Sequence, residues 1–178
     1  MRKHTIKNGR ELVLRAQGHA RQDRITQATY GRGTVNGDVK LEACWIGCLS
    51  TPHRKPQLRS FLRKLGFDGN GFTQEFHLDS QESLSQLENE FGINLCLARV
   101  CEAIFESRES PEEGTKVTVR LAKAIAACEG KRLTPKQIVG AWSKIVDIPD
   151  AVHDHGSEWP EDDEQVEAFF AYLEKRAA

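Results

Sequence analysis

Hydrophobic and polar residues alternate along much of the first 80 positions, with the two-residue period that is typical of β-strands. The alternation covers residues 11–15 and 38–49 and returns over residues 72–78, while residues 24–30 are rich in β-forming side chains. Because successive side chains of a strand point to opposite faces of a sheet, these segments predict three to four strands in the N-terminal region.

A turn signal separates two of these segments. The tetrapeptide Val35-Asn36-Gly37-Asp38 lies between residues 24–30 and residues 38–49. Asn-Gly pairs tolerate the positive φ values of a type I′ turn, which joins the two antiparallel strands of a hairpin. The predicted sheet is therefore antiparallel.

Helical periodicity first appears over residues 56–65. The apolar residues of this segment recur at the spacing of one helix face: Leu58, Phe61, Leu62 and Leu65. A second stripe, at intervals of four residues, is cationic and consists of Lys55, Arg59 and Arg63. Together these stripes predict one short basic helix, with Gly66 suited to the position that follows its last turn.

The pattern from residue 79 to the end of the chain is helical. Apolar residues at helix spacing predict four to five helices, which begin near residues 79, 94, 116, 135 and 161. Residues 107–114 are polar and predict a connector. The strongest start signal is Thr134-Pro135-Lys136-Gln137, which supplies an N-cap hydroxyl, a proline in the first turn and a glutamine at the third helical position.

These patterns predict an α+β fold. An N-terminal antiparallel sheet of three to four strands with one basic helix precedes a C-terminal bundle of four to five helices. We divide the chain into a basic β-rich region, residues 1–80, and a mainly helical acidic region, residues 81–178. We expect the two regions to share one core, because a small sheet alone does not bury enough apolar surface to be stable.

Composition excludes some classes of protein. The chain has 178 residues, of which 39% are hydrophobic and 29% are charged, and no apolar run approaches the roughly 20 residues that cross a bilayer. No apolar segment follows the basic N-terminus in the manner of a secretory signal. We therefore expect a cytoplasmic protein of bacterial or phage origin that makes no membrane contact.

Charge divides the chain into two opposed halves. Residues 1–66 contain fourteen Lys/Arg against four Asp/Glu, whereas residues 67–178 contain eleven Lys/Arg against twenty-two Asp/Glu. A separation of this size indicates charged partners, because each half projects its own field. The alternative is that the cations of the first half neutralise the acidic helices of the same molecule.

The basic half favours nucleic acid, DNA or RNA, as a partner. Phosphate backbones need several cations on one surface, and arginine adds planar bidentate geometry. The residues that we expect to form this surface are Arg15, Arg21, Arg24, Arg32, Arg54, Lys55, Arg59 and Arg63. Tyr30 and Trp45 are candidates for stacking on bases, although Trp45 is in register with core positions.

Two helix-turn-helix interpretations also stay open. One places its turn at Gly92, but Arg99 is the only Lys or Arg within residues 82–107. The other joins a helix over residues 116–128 to the helix that follows Thr134, and its turn is longer than usual. Both patterns favour ordinary packing of helical hairpins over a nucleic-acid-binding element.

Neither a metal site nor a catalytic motif stands out. Cys44, Cys48 and His53 are spaced like ligands of zinc, but there is no second close pair to complete a structural site. The tract from His153 to His155 is typical of an exposed polar loop. The five cysteines are odd in number, which favours reduced thiols, mostly in the core. We expect no metal and no cofactor.

The sequence favours a non-catalytic regulatory or accessory protein that binds nucleic acid. The alternative is a protein-binding modulator of the inhibitor, immunity or anti-defence type, which acts on a nucleic-acid-processing complex. Its acidic helices, which include Glu82, Glu88 and Glu102, would then meet a basic protein partner. An enzyme whose site combines distant residues, such as Cys48 with His53 or His77, is a third possibility.

Overall fold

The structure is a computed structural model that describes residues 4–27, 29–36, 38–146 and 159–178. Within these residues the chain forms eight helices and three strands. In chain order they are α1 (Gly9–Ala20), β1 (Arg32–Val35), β2 (Val39–Glu42), α2 (Trp45–Ser50), α3 (Lys55–Lys64), β3 (Gln74–His77), α4 (Ser80–Phe91), α5 (Leu95–Glu106), α6 (Pro111–Ala127), α7 (Pro135–Trp142) and α8 (Asp163–Ala177).

The three strands form one antiparallel sheet in the order β2-β1-β3. Val35 pairs with Val39 across the predicted hairpin, which confirms the turn signal, although Gly37 itself lies outside the described residues. Arg32 pairs with Glu42 on one side and with His77 on the other. The α+β class and the antiparallel sheet are therefore confirmed, with three strands.

The strand predicted over residues 11–15 is wrong, because these residues belong to helix α1. The buried positions of α1 include Leu12, Arg15, Ala16 and His19, and they recur at helix spacing. Two of these four are polar, so a search for apolar periodicity detects only the short alternation around Leu12.

Two further strand predictions need correction. Residues 24–30 contain no strand among their described members, only a single parallel bridge from Ile25 to Ala43. The alternation over residues 38–49 ends as a strand at Glu42, and helix α2 starts at Trp45. Every residue of α2 is buried, so its sequence has no polar face to reveal a helical period.

The predicted helix signals are confirmed in the rest of the chain. Gly66 has a φ of 91° just after α3, as expected for a residue that ends a helix in the left-handed region. The backbone N–H of Gln137 donates to the hydroxyl of Thr134, and both halves of the capping box are present. The connector predicted over residues 107–114 is shorter than expected, because α6 already begins at Pro111 behind a Ser110 cap.

The core draws on both halves of the chain. Its largest fully buried side chains include Trp45 and Phe76 from the first half and Phe105, Trp142 and Phe169 from the second. Helices α4 to α8 form the predicted C-terminal bundle, and α1 packs against α6. The sheet and the bundle therefore bury their apolar faces together.

The N-terminal segment before α1 is bonded to distant parts of the bundle. The backbone N–H of Ile6 donates to the carbonyl of Lys131 at 3.0 Å, and the N–H of Gly130 donates back to Ile6 at 2.8 Å. The N–H of Lys7 donates to the carbonyl of Phe91 at 3.0 Å. This segment thus joins the end of α4 to the loop between α6 and α7.

Gly92 permits that arrangement. Its φ is 73°, and a Cβ atom at this position would lie 2.0 Å from the carbonyl oxygen of Thr5. Only a residue without a side chain allows both the left-handed conformation and so close an approach. The glycine that sequence reasoning placed in a helix-turn-helix therefore serves packing of the N-terminal segment.

Some predictions concern residues that the structure does not describe. Residues 1–3, of which Arg2 and Lys3 are basic, lie outside the described ranges. The loop over residues 147–158, with its tract from His153 to His155, also lies outside them. Among the described helices, none combines the length and the apolar character that crossing a membrane requires.

Candidate nucleic-acid interface

The eight cations predicted to form one contact surface fall into two groups. Arg15 and Arg24 are buried, with 6% and 5% of their surface exposed. The other six are exposed or half-buried: Arg21, Arg32, Arg54, Lys55, Arg59 and Arg63. The structure thus divides a set that looked uniform in the sequence.

Arg15 has its donors occupied inside the molecule. Its Nη1 donates to Glu90 Oε2 and to the carbonyl of Leu49, both at 3.0 Å, and its Nη2 donates to the second oxygen of Glu90. Its Nε donates to Glu11 at 3.2 Å, and the guanidinium lies 5.0 Å from the centre of the Phe91 ring. Arg15 therefore ties α1 to α2 and α4.

Arg24 has a similar structural position. Its Nη1 donates to the carbonyl of His53 at 3.1 Å, and its own carbonyl accepts from the N–H of Ala43 at 2.8 Å. Burial lowers the pKa of Arg24, because the charged form loses solvation. Arg15 and Arg24 are consequently left out of the contact surface that we propose below.

His19 lies in the same buried region. Its Nε2 is 3.1 Å from the carbonyl of Thr51, and no part of the residue is exposed. Burial lowers the pKa of His19 to about 4, and the hydrogen bond with Thr51 opposes that shift only in part. Because the imidazole is neutral at pH 7, this residue adds no charge to a contact surface.

Two of the exposed cations are paired with carboxylates. Arg32 Nη2 lies 3.1 Å from Glu42 Oε2 on the exposed face of the sheet. Lys55 Nζ lies 3.1 Å from both carboxylate oxygens of Asp38. The pKa of Asp38 is lowered, first by the backbone N–H of Val39 and next by Lys55. Both pairs are open to water, where such interactions are weak and exchange readily.

The remaining cations lie together on α3. Leu58 and Leu62 anchor this helix in the core, so its other faces are turned to solvent. We define the α3 surface as Arg54, Lys55, Arg59, Arg63 and Lys64. Four of the five form no ion pair with a described carboxylate, and only Lys55 is bonded to one. The cationic stripe of this helix consists of Lys55, Arg59 and Arg63, and its successive members are about 6 Å apart along the helix axis.

Arg21 lies at the end of α1, outside the α3 surface. Burial lowers the pKa of His53, Glu11 opposes the shift, and the charges of Arg54, Arg15 and Arg21 add to it. The Nε of Arg21 donates to the carbonyl of Gln17 at 3.2 Å, which holds the side chain at the end of α1.

Sequence reasoning left Lys64 out of the candidate set. Lys64 is exposed and follows Arg63 in the last turn of α3. The position of Lys64 beside Arg63, and two residues before Gly66, could have indicated that it belongs to the same surface. Cations in the last turn of a helix also interact favourably with the negative end of the helix dipole.

The aromatic residues considered for base stacking have other contacts. Trp45 is fully buried in the core. The hydroxyl of Tyr30 accepts from Arg99 at 2.5 Å, and Arg99 also donates to Glu102 at 2.6 Å. Neither aromatic belongs to the α3 surface, so contact through that surface relies on charge rather than on stacking.

The two helix-turn-helix interpretations have fewer free cations than their sequences suggest. In the first, Arg99 is bonded to Glu102 and Tyr30, as described above. In the second, Lys116 lies 2.7 Å from Glu112, and Arg120 is held by both oxygens of Glu167 while it covers the Phe170 ring. These contacts stabilise the bundle, as the packing alternative expects.

The acidic helices are also partly satisfied from within the molecule. Glu90 binds Arg15, Glu102 binds Arg99, and Glu167 binds Arg120. The two halves therefore neutralise one another at the Arg15–Glu90 pair, and the other two pairs lie within the acidic half, whereas the α3 surface has no comparable set of partners.

Cys44 and Cys48 do not form a ligand pair with His53. Within the described ranges, no three His, Cys, Asp or Glu residues are grouped so that they could hold a metal ion. Burial raises the pKa of Cys44 to about 12 and that of Cys48 well above its usual range. The Cys48 thiol lies 3.3 Å from the carbonyl of Ala43, so it is held as a neutral core donor rather than a thiolate.

No family model, no curated protein and no solved structure matches this chain at a significant level.

Proposed function

We propose that this protein is a non-catalytic regulatory or accessory protein that binds nucleic acid through the α3 surface. The observation that carries the proposal is the concentration of five cations on the outside of one helix, with a single bonded carboxylate, Asp38, beside them. Such a surface keeps most of its positive field, because Lys55 is the one member that is paired with a described carboxylate.

The geometry favours contact with the phosphate backbone. Lys55, Arg59 and Arg63 follow one another at four-residue intervals on a helix whose apolar side is fixed in the core. A rigid row of cations binds phosphates without having to order its own backbone first. Because no aromatic side chain belongs to this surface, binding should depend on charge more than on base sequence.

A salt series tests this function directly. The purified full-length chain is titrated with fluorescein-labelled single-stranded and duplex DNA and RNA of mixed sequence, from low to physiological salt. We expect log K to fall linearly with log salt, with a slope of about −3 to −4.5 if four or five cations contact phosphates. The absence of binding at low salt to every one of these probes would overturn the proposal.

A pair of variants locates the site. Arg59→Ala with Arg63→Ala removes two cations of the α3 surface, and we expect the salt slope to decrease by about 2. The matched control is Arg10→Ala with Lys123→Ala, because both residues are exposed cations on other helices. Equal losses of affinity in the two double variants would show that binding does not use α3.

A further inference from the structure

A second cationic surface lies between helices α7 and α8. These helices are antiparallel, because Arg176 donates to the carbonyl of Arg132 at one end while Trp142 packs edge-on against Phe169 farther along, with ring centres 5.6 Å apart. A groove of about 580 Å³ runs between their exposed faces. We call it the α7–α8 groove.

All four charged residues that line the α7–α8 groove are cations. Lys136 and Lys144 project from the α7 side, and Lys175 and Arg176 project from α8. None of the described residues that line it is acidic, and none of these four cations forms an ion pair with a described carboxylate.

The floor of the groove is mainly apolar and includes several small residues. Gly140, Ala141 and Ile145 line it from α7 and the turn that follows, and Ala168, Ala171 and Tyr172 line it from α8. Small side chains leave a trough that a bulky apolar residue of another chain can fill. An apolar trough between rows of lysines differs from the α3 surface, which offers charge on the outside of a helix.

We propose that the α7–α8 groove is a docking site for an acidic amphipathic helix of a partner protein. Leucine-like side chains of that helix fill the trough, and its flanking Asp and Glu residues pair with the four rim cations. Helices that lie in apolar grooves are a common mode of peptide recognition, and complementary charge sets their orientation and speeds their association.

The described helices of a second copy do not fit this groove. The acidic helices α4 and α8 already bury their apolar stripes in the core, including Leu84 and Leu87 in α4 and Val166 and Phe170 in α8. The exposed large apolar residues among the described positions, Phe72, Leu95 and Trp159, do not lie on these helices. We therefore assign the acidic helix to a different protein.

Nucleic acid is a poorer match to this groove than an acidic helix. A phosphate backbone satisfies the rim cations but leaves the apolar trough empty and facing water. An acidic amphipathic helix satisfies both, because its apolar stripe also removes the floor from solvent. The proposal is independent of the α3 surface, so either site can fail its test while the other passes.

The test uses a designed peptide as the probe. It has about 16 residues, so that a helix can form, with leucines at one helix face, glutamates on both flanks and a fluorescein label. A second peptide carries lysine in place of each glutamate. We expect fluorescence anisotropy with the full-length protein to show saturable binding of the acidic peptide and at least about tenfold weaker binding of the basic peptide.

Variants of the protein then locate the contact. Lys144→Glu with Lys175→Glu should weaken binding of the acidic peptide at least about tenfold, because two attractive pairs become repulsive. Arg10→Glu with Lys123→Glu makes the same change in net charge outside the groove and should alter affinity by less than about twofold. Ala171→Gln fills the trough without changing charge and should weaken binding about threefold or more.

Several results would contradict this assignment. One is failure of the acidic peptide to bind, and another is equal affinity in the groove variant and its charge-matched control. A third is an unchanged affinity in Ala171→Gln, which would reduce the interaction to charge alone. A different pair of results would assign the groove to nucleic acid instead. Duplex DNA would displace the peptide, and the double variant Lys144→Glu with Lys175→Glu would no longer bind that DNA.

Discussion

The buried arginines and the α3 surface come from the same basic stretch of sequence but do different things. Arg15 has four hydrogen bonds or ion pairs within the molecule, and its guanidinium also lies against a ring. Arg59 and Arg63 form no ion pair with a described carboxylate. A high local density of cations therefore says little about how many of them are available to a partner.

The difference follows from what each helix buries. Helix α1 turns Arg15 and His19 towards the core, where polar groups need partners to offset the loss of water. Helix α3 turns Leu58 and Leu62 inward and leaves its cations outside. Substitutions in α1 should therefore change stability, and substitutions in α3 should change binding.

The largest effect should come from Arg15→Ala. The partly exposed Glu90 would lose its bidentate partner and the carbonyl of Leu49 would lose its donor, so we expect the free energy of unfolding to fall by about 3 to 4 kcal/mol. Urea unfolding followed by circular dichroism measures the loss. In the double variant with Glu90→Gln, the loss should be smaller than the sum of the two single losses; strict additivity would mean that the two residues act independently.

The next effect depends on pH and comes from His19. Its pKa is lowered from 6.5 to about 4 in the folded protein. Between these values the unfolded chain binds more protons than the folded chain, so stability is fully present above pH 6.5 and falls as the pH decreases towards 4. The pKa difference corresponds to a decrease of up to about 3 kcal/mol in the free energy of unfolding across this window.

Urea unfolding at several pH values between 7 and 4 checks this prediction. His19→Gln should flatten the decline, because glutamine has no proton to gain and can still donate to Thr51. His53→Gln is the matched control, since His53 is half-buried and should account for less of the slope. A decline that persists unchanged in His19→Gln would assign it to other groups.

Arg59→Ala with Arg63→Ala should leave stability nearly unchanged. Because both side chains lie outside the core, we expect the free energy of unfolding to stay within about 0.5 kcal/mol of the original value for each substitution. The same urea titration that detects the loss in Arg15→Ala measures this. A large loss of stability would place these arginines in the structural group and remove the distinction between the two regions.

The smallest effect should come from Asp38→Asn. This substitution removes the single carboxylate bonded to the α3 surface and frees Lys55 to contact phosphate. We expect slightly tighter binding of nucleic acid, with a salt slope steeper by up to about 1. The salt series described above measures it, and weaker binding would indicate that Asp38 positions Lys55 rather than competing for it.

Local signals in the sequence predicted the parts of the fold that depend on neighbours in the chain. The Asn-Gly turn, the stripes of α3 and the capping box at Thr134 each involve residues within a few positions of one another. They placed the hairpin and the C-terminal helices, and they identified most of the α3 surface.

Features that depend on distant partners were not predictable in the same way. Part of helix α1 was mistaken for a strand because two of its six buried residues are polar, and Arg15 is paired with Glu90, 75 positions away. The rim of the α7–α8 groove is similar in this respect. Lys136 and Lys175 face a common space only because α8 packs antiparallel to α7.

The pairing of Ile6 with Gly130 and Lys131 has a consequence for synthesis on the ribosome. These residues are separated by more than 120 positions, so Ile6 leaves the ribosome well before its partners. At about 5–20 residues per second this delay is roughly 6–25 s. Helix α1, which packs on α6, is exposed during that interval, and chaperones that hold nascent chains would meet its apolar face first.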